Sequence, residues 1–420
     1  VMKTVGLITE YNPFHNGHLH HLQESLRVAD AEASVAVMSG HFLQRGEPAL
    51  VDKWVRTEMA LAAGVDLVFE LPLPFACNSA PCFAQGAVQS LAGLGVVDAL
   101  CFGSEVGRLD DLLRVARLLN QRANEVEQET AALLREGMNY PTARAEVLQS
   151  LAPDLPADLL VSPNNILGLE YLRALQAVDR PFDPCTIKRL GPGYHDVATS
   201  GEIASATGIR QMQAAGESVQ SYLPAPCWQV FDHALRSGQH LDWSKVFNQL
   251  LSRLLLDPVK LDGLYQVEHG LGNRLAEAAQ TARDYANLAA AVKSRHWTLT
   301  RIQRILAYVL LQVTRSEMET FLQTGPLYLR LLGLSDSGQQ CLAEARSQRT
   351  LPIIMDPSKG SSVLQKFYGR GTERAMLAEA MLALDLRATR IYTTLMKSQQ
   401  MQHRNRDFFE PVRRASQRRD

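Results

Sequence analysis

The sequence predicts an α/β fold: a Rossmann-like, parallel-sheet nucleotide-binding domain over residues 1–215, then a mainly α-helical domain over residues 216–420. Three observations predict it. Short apolar runs alternate with helical patterns through the first half, a glycine-bearing turn (His15-Asn16-Gly17-His18) follows the first run, and strand signals nearly vanish after about residue 215. Alternation of this kind implies parallel strands covered by helices on both faces. A chain of 420 residues also exceeds one ordinary core, so two or three domains are expected.

The expected strands are residues 3–9, 34–39, 66–71, 98–102 and 184–190, each rich in Val, Ile, Leu or Phe. Between them, residues 17–29, 52–63, 79–93, 109–136 and 164–178 read as helices. Leu19, Leu22 and Leu26 recur at helical spacing in the first. Asp52 is a candidate N-cap and Gly64 a candidate stop for the second. In the second half, Ile302, Ile305, Leu306, Val309, Leu310 and Val313 keep the spacing of one buried helix face, and residues 372–397 continue without Gly or Pro. Pro224 and Pro226 read as a linker, and residues 351–355 as a lone extended segment.

Composition narrows the class. Hydrophobic residues at 46% and charged residues at 21% are those of an ordinary globular protein. With a net charge of −1 the whole molecule does not attract nucleic acid, so any basic surface must be local. The six cysteines (Cys77, Cys82, Cys101, Cys185, Cys227 and Cys341) form no C-x-x-C pair, which fits reduced thiols and argues against zinc or disulfides. No leader pattern and no bilayer-length apolar run is present, so a soluble, cytoplasmic enzyme without a membrane partner is expected.

The chemistry concentrates in Gly6-Leu7-Ile8-Thr9-Glu10-Tyr11-Asn12-Pro13-Phe14-His15-Asn16-Gly17-His18. A strand ends, a proline turn follows and a helix opens. Backbone N–H groups and the helix dipole at such a point suit a phosphate. Gly17 lets a nucleotide approach the backbone, and the flanking imidazoles can donate to phosphate oxygens as charge builds in a transition state. A turn whose histidines only cap the helix is the plain alternative. Bottom-up, this reaches ATP α-phosphate chemistry with an unknown acceptor.

The stretch resembles the HIGH motif of the nucleotidyltransferase superfamily, which implies a HUP-type Rossmann-like domain. The wider pattern resembles the tRNA(Met) cytidine acetate ligases. It comprises Met38-Ser39-Gly40-His41-Phe42-Leu43-Gln44-Arg45-Gly46-Glu47-Pro48-Ala49, Asp52-Lys53-Trp54-Val55-Arg56, Phe69-Glu70-Leu71-Pro72, Phe102-Gly103-Ser104-Glu105, Ser162-Pro163-Asn164-Asn165-Ile166-Leu167-Gly168 and Lys188-Arg189-Leu190-Gly191-Pro192-Gly193-Tyr194-His195-Asp196. The resemblance implies ATP and acetate as co-substrates, elongator tRNA(Met) as partner, and acetylation of N4 of the wobble cytidine at position 34. Magnesium is expected with the ATP phosphates, since no carboxylate cluster marks a protein-made metal site.

Catalytic roles are expected for His15, His18, Lys53 and Arg189. ATP contacts are expected from Leu7, Ile8, Thr9, Glu10, Tyr11, Asn12, Pro13, Phe14, His15, Asn16, Gly17, His18, Leu19, His20, Gly103, Asn164, Asn165 and Arg189. Ser205 and Thr207 join them in Ile203-Ala204-Ser205-Ala206-Thr207-Gly208-Ile209-Arg210, which resembles the superfamily's second signature. Helix capping or solvated surface charge is the alternative for the asparagines, the hydroxyls and Lys53.

For RNA, Lys293, Arg295, Arg301 and Arg304 cluster around Trp297, and residues 403–420 carry six arginines. Two other functions stay open on the residues alone: a small-molecule adenylyltransferase, and an RNA-binding module with a vestigial nucleotide site. The oligomeric state is not legible.

Overall fold

The structure, a computed structural model, describes residues 2–155, 157–179, 181–190, 195–196, 201–256, 258–268, 270–294, 297–398 and 403–415. Strands β1 (Thr4–Thr9), β2 (Ala33–Ser39), β3 (Leu67–Leu71), β4 (Ala99–Ser104) and β5 (Asp183–Lys188) lie parallel in the order 3-2-1-4-5. Strand order therefore reverses between β1 and β4, which opens a crevice at their carboxyl ends. Helix α1 (Asn16–Ala29) leaves β1 and α2 (Lys53–Ala62) leaves the loop after β2. Asp52 caps α2 by accepting from Val55 N at 2.8 Å, and Gly64 follows its end at φ +104°.

Each face of the sheet carries its own core. Val35, Val37, Phe69, Phe75 and Phe83 lie in one cluster, and Val5, Leu7, Met38, Val68 and Phe231 in the other. Residues 109–136 are two helices, Leu109–Gln121 and Ala123–Arg135, rather than one.

The second half is mainly helical, as expected, but it also adds strands to the main sheet. After the short antiparallel pair β6 (His195–Asp196) and β7 (Gly201–Glu202), the fully buried strand β8 (Leu329–Leu334) runs antiparallel to β3 and extends the main sheet. Strands β9 (Ile353–Ile354) and β10 (Arg413–Arg414) pair with β8 in parallel. Residues 351–355 are thus not a lone segment. Nor are Pro224 and Pro226 a linker: the helix Ala225–Arg236 starts there, with Pro226 in its first turn, and Cys227 packs its sulfur 3.2 Å from Met59 O of α2.

Buried bonds cross the expected boundary at residue 215. Tyr308 donates to Cys77 O and Tyr392 to Ala49 O, both at 2.7 Å. Asp385 accepts from Leu73 N at 2.8 Å and from Tyr328 at 2.6 Å. The 215/216 division follows sequence texture, while the two halves share one sheet. Among the described residues, no helix is long and apolar enough to cross a membrane.

Candidate active site

Beyond β1 the chain turns sharply: Tyr11 adopts φ +50° and the Asn12–Pro13 bond is cis. Helix α1 then begins with His15 as an extended N-cap. His15 Nδ1 accepts from Gly17 N at 3.1 Å, and His18 Nδ1 accepts from His15 N at 3.2 Å. The two imidazoles thus form a reciprocal capping box and stack with ring centroids 3.7 Å apart. A Cβ on Gly17 would meet the His15 ring at 2.9 Å, so this packing needs glycine.

The arrangement sets the tautomers. Each Nδ1 is an acceptor, so each neutral ring carries its proton on Nε2, the edge away from the backbone. Burial, then the charges of Arg189 and Arg210, lowers His15 to about 3. Burial, then His15 and Arg189, holds His18 well below its ordinary value. The site therefore presents two neutral N–H donors at physiological pH. One expectation changes: the first-turn amides of Gly17, His18 and Leu19 are occupied by His15, so the imidazoles rather than those N–H groups are what the turn offers.

His15 also gives a stability prediction. Below 6.5 the unfolded chain protonates this histidine, while the folded chain refuses the proton until about 3. Stability is therefore full above 6.5 and declines as pH falls through this window, by about 1.4 kcal/mol per pH unit. Urea midpoints at neutral and mildly acid pH should lie closer together in His15→Asn than in the unaltered protein. Equal gaps would mean that the folded imidazole is solvated.

Arg189 follows β5 and donates its amide to Ser104 O at 2.9 Å. Its side chain crosses Gly103, where a Cβ would come within 3.0 Å of Arg189 Cγ. Glycine at the end of β4 thus lets a cation pass toward the histidines. Asn164 and Asn165 stand at the start of the helix Pro163–Gln176 and interlock with the loop after β4. Glu105 accepts from Asn164 N at 3.1 Å, Asn164 Nδ2 at 2.7 Å and Asn165 N at 2.8 Å. Asn165 Oδ1 accepts from Glu105 N at 2.9 Å and Val106 N at 3.2 Å. Both side-chain amides brace the loop after β4, and it is the Glu105 carboxylate, not either asparagine, that takes the N–H groups at the helix start.

Other expected contacts divide by burial. Leu7 and Phe14 are fully buried in the core, and Tyr11 packs on Phe14 with centroids 4.7 Å apart. Ile8, Glu10, Gly17, His18, Leu19 and His20 are partly exposed, whereas Thr9, Asn12 and Pro13 are buried. Asn16 is buried and donates through Nδ2 to Glu202 O and Ser221 O, each at 2.9 Å, which fastens the second-signature segment to the turn. Ser205 caps the helix Ala206–Ala214 by accepting from Gly208 N, and Thr207 lies in its first turn. Arg210 on that helix, missing from the expected contacts, donates to Asn12 O at 2.9 Å and lies close enough to depress His15. Its place within the second signature was the available signal.

Lys53 is not brought to this crevice. It is fully buried, with Nζ 2.7 Å from Glu70 and 2.9 Å from Asp407. Arg56 is buried too, donating to Glu10 O at 2.7 Å and Ser39 O at 2.9 Å, so it ties the ends of β1 and β2 together. Among the described residues, no group of three or more His, Cys, Asp or Glu converges on a metal position.

Of the expected RNA contacts, Lys293 is exposed, Arg301 and Arg304 on the helix Leu299–Leu311 are half-buried, and Arg295 lies outside the described residues. Arg274 joins them, lying over the Trp297 ring at 5.8 Å. Three arginines of the C-terminal region bond back to the protein, and of these Arg406 is buried, Arg413 half-buried and Arg414 exposed. Arg406 pairs with Asp52 at 2.7 Å, Arg413 with Glu58 at 2.6 Å, and Arg414 donates to Gln339 at 3.0 Å. Arg404 remains exposed, and Arg418 and Arg419 lie outside the described residues.

A family model described as HIGH Nucleotidyl Transferase matches residues 2–407. A tRNA(Met) cytidine acetate ligase from Syntrophotalea carbinolica is 54% identical over 411 residues, covering 97% of this chain and 98% of that relative. One from Caldanaerobacter subterraneus subsp. tengcongensis is 37% identical over 414 residues, covering 98% and 99%. The crystal structure of Thermotoga maritima TmcAL bound with alpha-thio ATP is similar at a TM-score of 0.90 and 32% identity, covering 98% of this chain and 100% of that one. The chain belongs to the HIGH nucleotidyl transferase family and, within it, to the tRNA(Met) cytidine acetate ligases.

Proposed function

We propose that the chain is an ATP-dependent ligase that activates acetate as acetyl-adenylate and acetylates N4 of the wobble cytidine, position 34, of elongator tRNA(Met). The observation that carries this reading is the stacked His15–His18 pair, two neutral Nε2–H donors fixed at the switch point of the parallel sheet. The similarity to proteins named for that reaction supplies the acceptor.

An acetate oxygen attacks the α-phosphorus of ATP and pyrophosphate departs, leaving a mixed anhydride. His15 and His18 donate to the α-phosphate oxygens as the pentavalent transition state gathers charge. Arg189 and Arg210 offset the charge of the triphosphate, and Ser205 and Thr207 offer it hydroxyls from a helix N-terminus. The cytidine amine then attacks the acetyl carbon, its proton is released and AMP leaves. Magnesium arrives on the nucleotide's phosphates. The imidazole and guanidinium donors around the turn suit anionic oxygens rather than a cation, so no protein-held metal is part of this reading. The tRNA docks on the surface carrying Lys293, Arg301 and Arg304, with Arg295 beside them in the sequence. Six cysteines, none in a disulfide, fit a reducing cytoplasm.

The testing experiment is acetate-dependent pyrophosphate release from ATP with and without total bacterial tRNA, followed by nucleoside mass analysis. Acetylated cytidine in the tRNA supports the reading. Release that needs a phosphorylated small molecule instead of acetate overturns it in favour of an adenylyltransferase. In addition, Arg301→Glu with Arg304→Glu should weaken tRNA binding by about tenfold or more, flatten its salt dependence, and spare tRNA-free ATP chemistry. Filter binding across a salt series checks this, and undiminished affinity would make the basic helix mere surface.

A further inference from the structure

Residues 40–49, between β2 and α2, close on themselves. Phe42 and Pro48 form an antiparallel bridge, Leu43 N donates to Glu47 O at 3.0 Å, Gly46 N to Leu43 O at 2.8 Å and Ala49 N to His41 O at 2.9 Å. A hairpin bonded in this way moves as one piece. It touches three parts of the molecule that carry the proposed chemistry.

Toward the catalytic turn, Gln44 N donates to Glu10 Oε1 at 2.7 Å, and Leu50 N, just past the hairpin, donates to Asn12 Oδ1 at 2.8 Å. Toward the second signature, Glu47 Oε2 lies 3.6 Å from Arg210 Nη2, and Arg210 itself donates to Asn12 O. Toward the basic helix Leu299–Leu311, Glu47 Oε1 accepts from Gln303 Nε2 at 2.9 Å. Gly46, at φ +92°, approaches that helix so closely that a Cβ would strike the Arg304 backbone nitrogen. One carboxylate thus gives one oxygen to the nucleotide site and the other to the helix that carries Arg301 and Arg304.

We propose that Glu47 is a positioning residue that registers RNA docked on the basic helix against the nucleotide site, so that the acetyl group passes to the cytidine rather than to water. The inference rests on the ligase and RNA-docking readings above. Its physical basis is the demand of acyl transfer for near-attack geometry. An amine displaced by about 1 Å from the anhydride carbon loses on the order of a hundredfold in rate, while water remains everywhere at hand. The Gln303–Glu47–Arg210 chain, one hydrogen bond and one ion pair long, ties the separation of helix and site to a single side chain.

The test measures pyrophosphate released per acetylcytidine formed at saturating tRNA, together with the affinity for tRNA. Gln303→Ala removes the helix-side bond without touching Arg210, and Gln303→Glu sets a second carboxylate against Glu47. In both variants the ratio is expected to rise by about three- to tenfold, the effect of one hydrogen bond lost or made repulsive, with tRNA affinity held within about twofold for Gln303→Ala. Glu47→Gln keeps an acceptor for Gln303 and should raise the ratio less than Glu47→Ala. A ratio unchanged in both Gln303 variants overturns the proposal, as does a loss of affinity with no change in ratio. If the unaltered protein forms no acetylcytidine at all, the functional reading fails instead.

Discussion

Replacing His18 with alanine is expected to slow adenylate formation by about 10²- to 10³-fold, with little change in the affinity for ATP. The magnitude follows from what the side chain is built to do. Its Nδ1 is committed to His15 N, so the ring has one tautomer, and its Nε2–H is held by stacking on His15 before substrate arrives. A donor fixed in advance costs no reorganisation when charge develops on the α-phosphate, so its loss falls on turnover rather than on binding. Alanine also deletes half of the capping box, which costs about 1 kcal/mol of stability. That structural cost is too small to explain a hundredfold loss. His18→Gln, whose amide reaches toward the Nε2 position, should recover part of the rate. Acetate-dependent pyrophosphate release measures all three proteins, and unchanged turnover in the alanine variant would remove the role.

The histidines were legible because a turn that only has to cap a helix after a buried strand does not need two imidazoles around a glycine. Their tautomers were not, because these depend on the backbone amides of His15 and Gly17 within a cap that only the folded turn creates. The five parallel strands were legible for a similar reason: each is an apolar run short enough for a strand and bounded by a helical pattern. Strand β8 was missed. Leu329–Leu334 reads Leu-Arg-Leu-Leu-Gly-Leu, a composition that suits helix as well as strand, and its partner β3 lies more than 250 residues away. The buried Arg330 within it argues against a central strand until Asp407 and the carbonyl of Met355, which accept its charge and its N–H, are in place.

The same distance in sequence explains Lys53 and leads to the second large effect. A lysine at a helix start, beside a loop of the family pattern, reads as a phosphate ligand because the one adjacent acid, Asp52, is the expected helix N-cap rather than its partner. Its acids are Glu70 on β3 and Asp407 near the C-terminus, and folding buries all three. The pair of carboxylates keeps the ammonium charged despite burial, and Arg330 lies 3.7 Å from Asp407 on the other side. Lys53→Met is therefore expected to destabilise the protein by about 3–5 kcal/mol, since the methionine fills the space but leaves two buried carboxylates facing each other without their cation. Removing one carboxylate at the same time should relieve much of that cost: Lys53→Met with Glu70→Gln should be more stable than Lys53→Met alone, a non-additivity that a phosphate-binding lysine would not show. Denaturant unfolding of the three variants, with pyrophosphate release measured well below their transitions, separates the two roles. Lost stability with retained turnover is the expected outcome, because Lys53 acts by fastening the C-terminal segment to α2 and β3. Unaltered stability with abolished turnover would instead return Lys53 to the nucleotide.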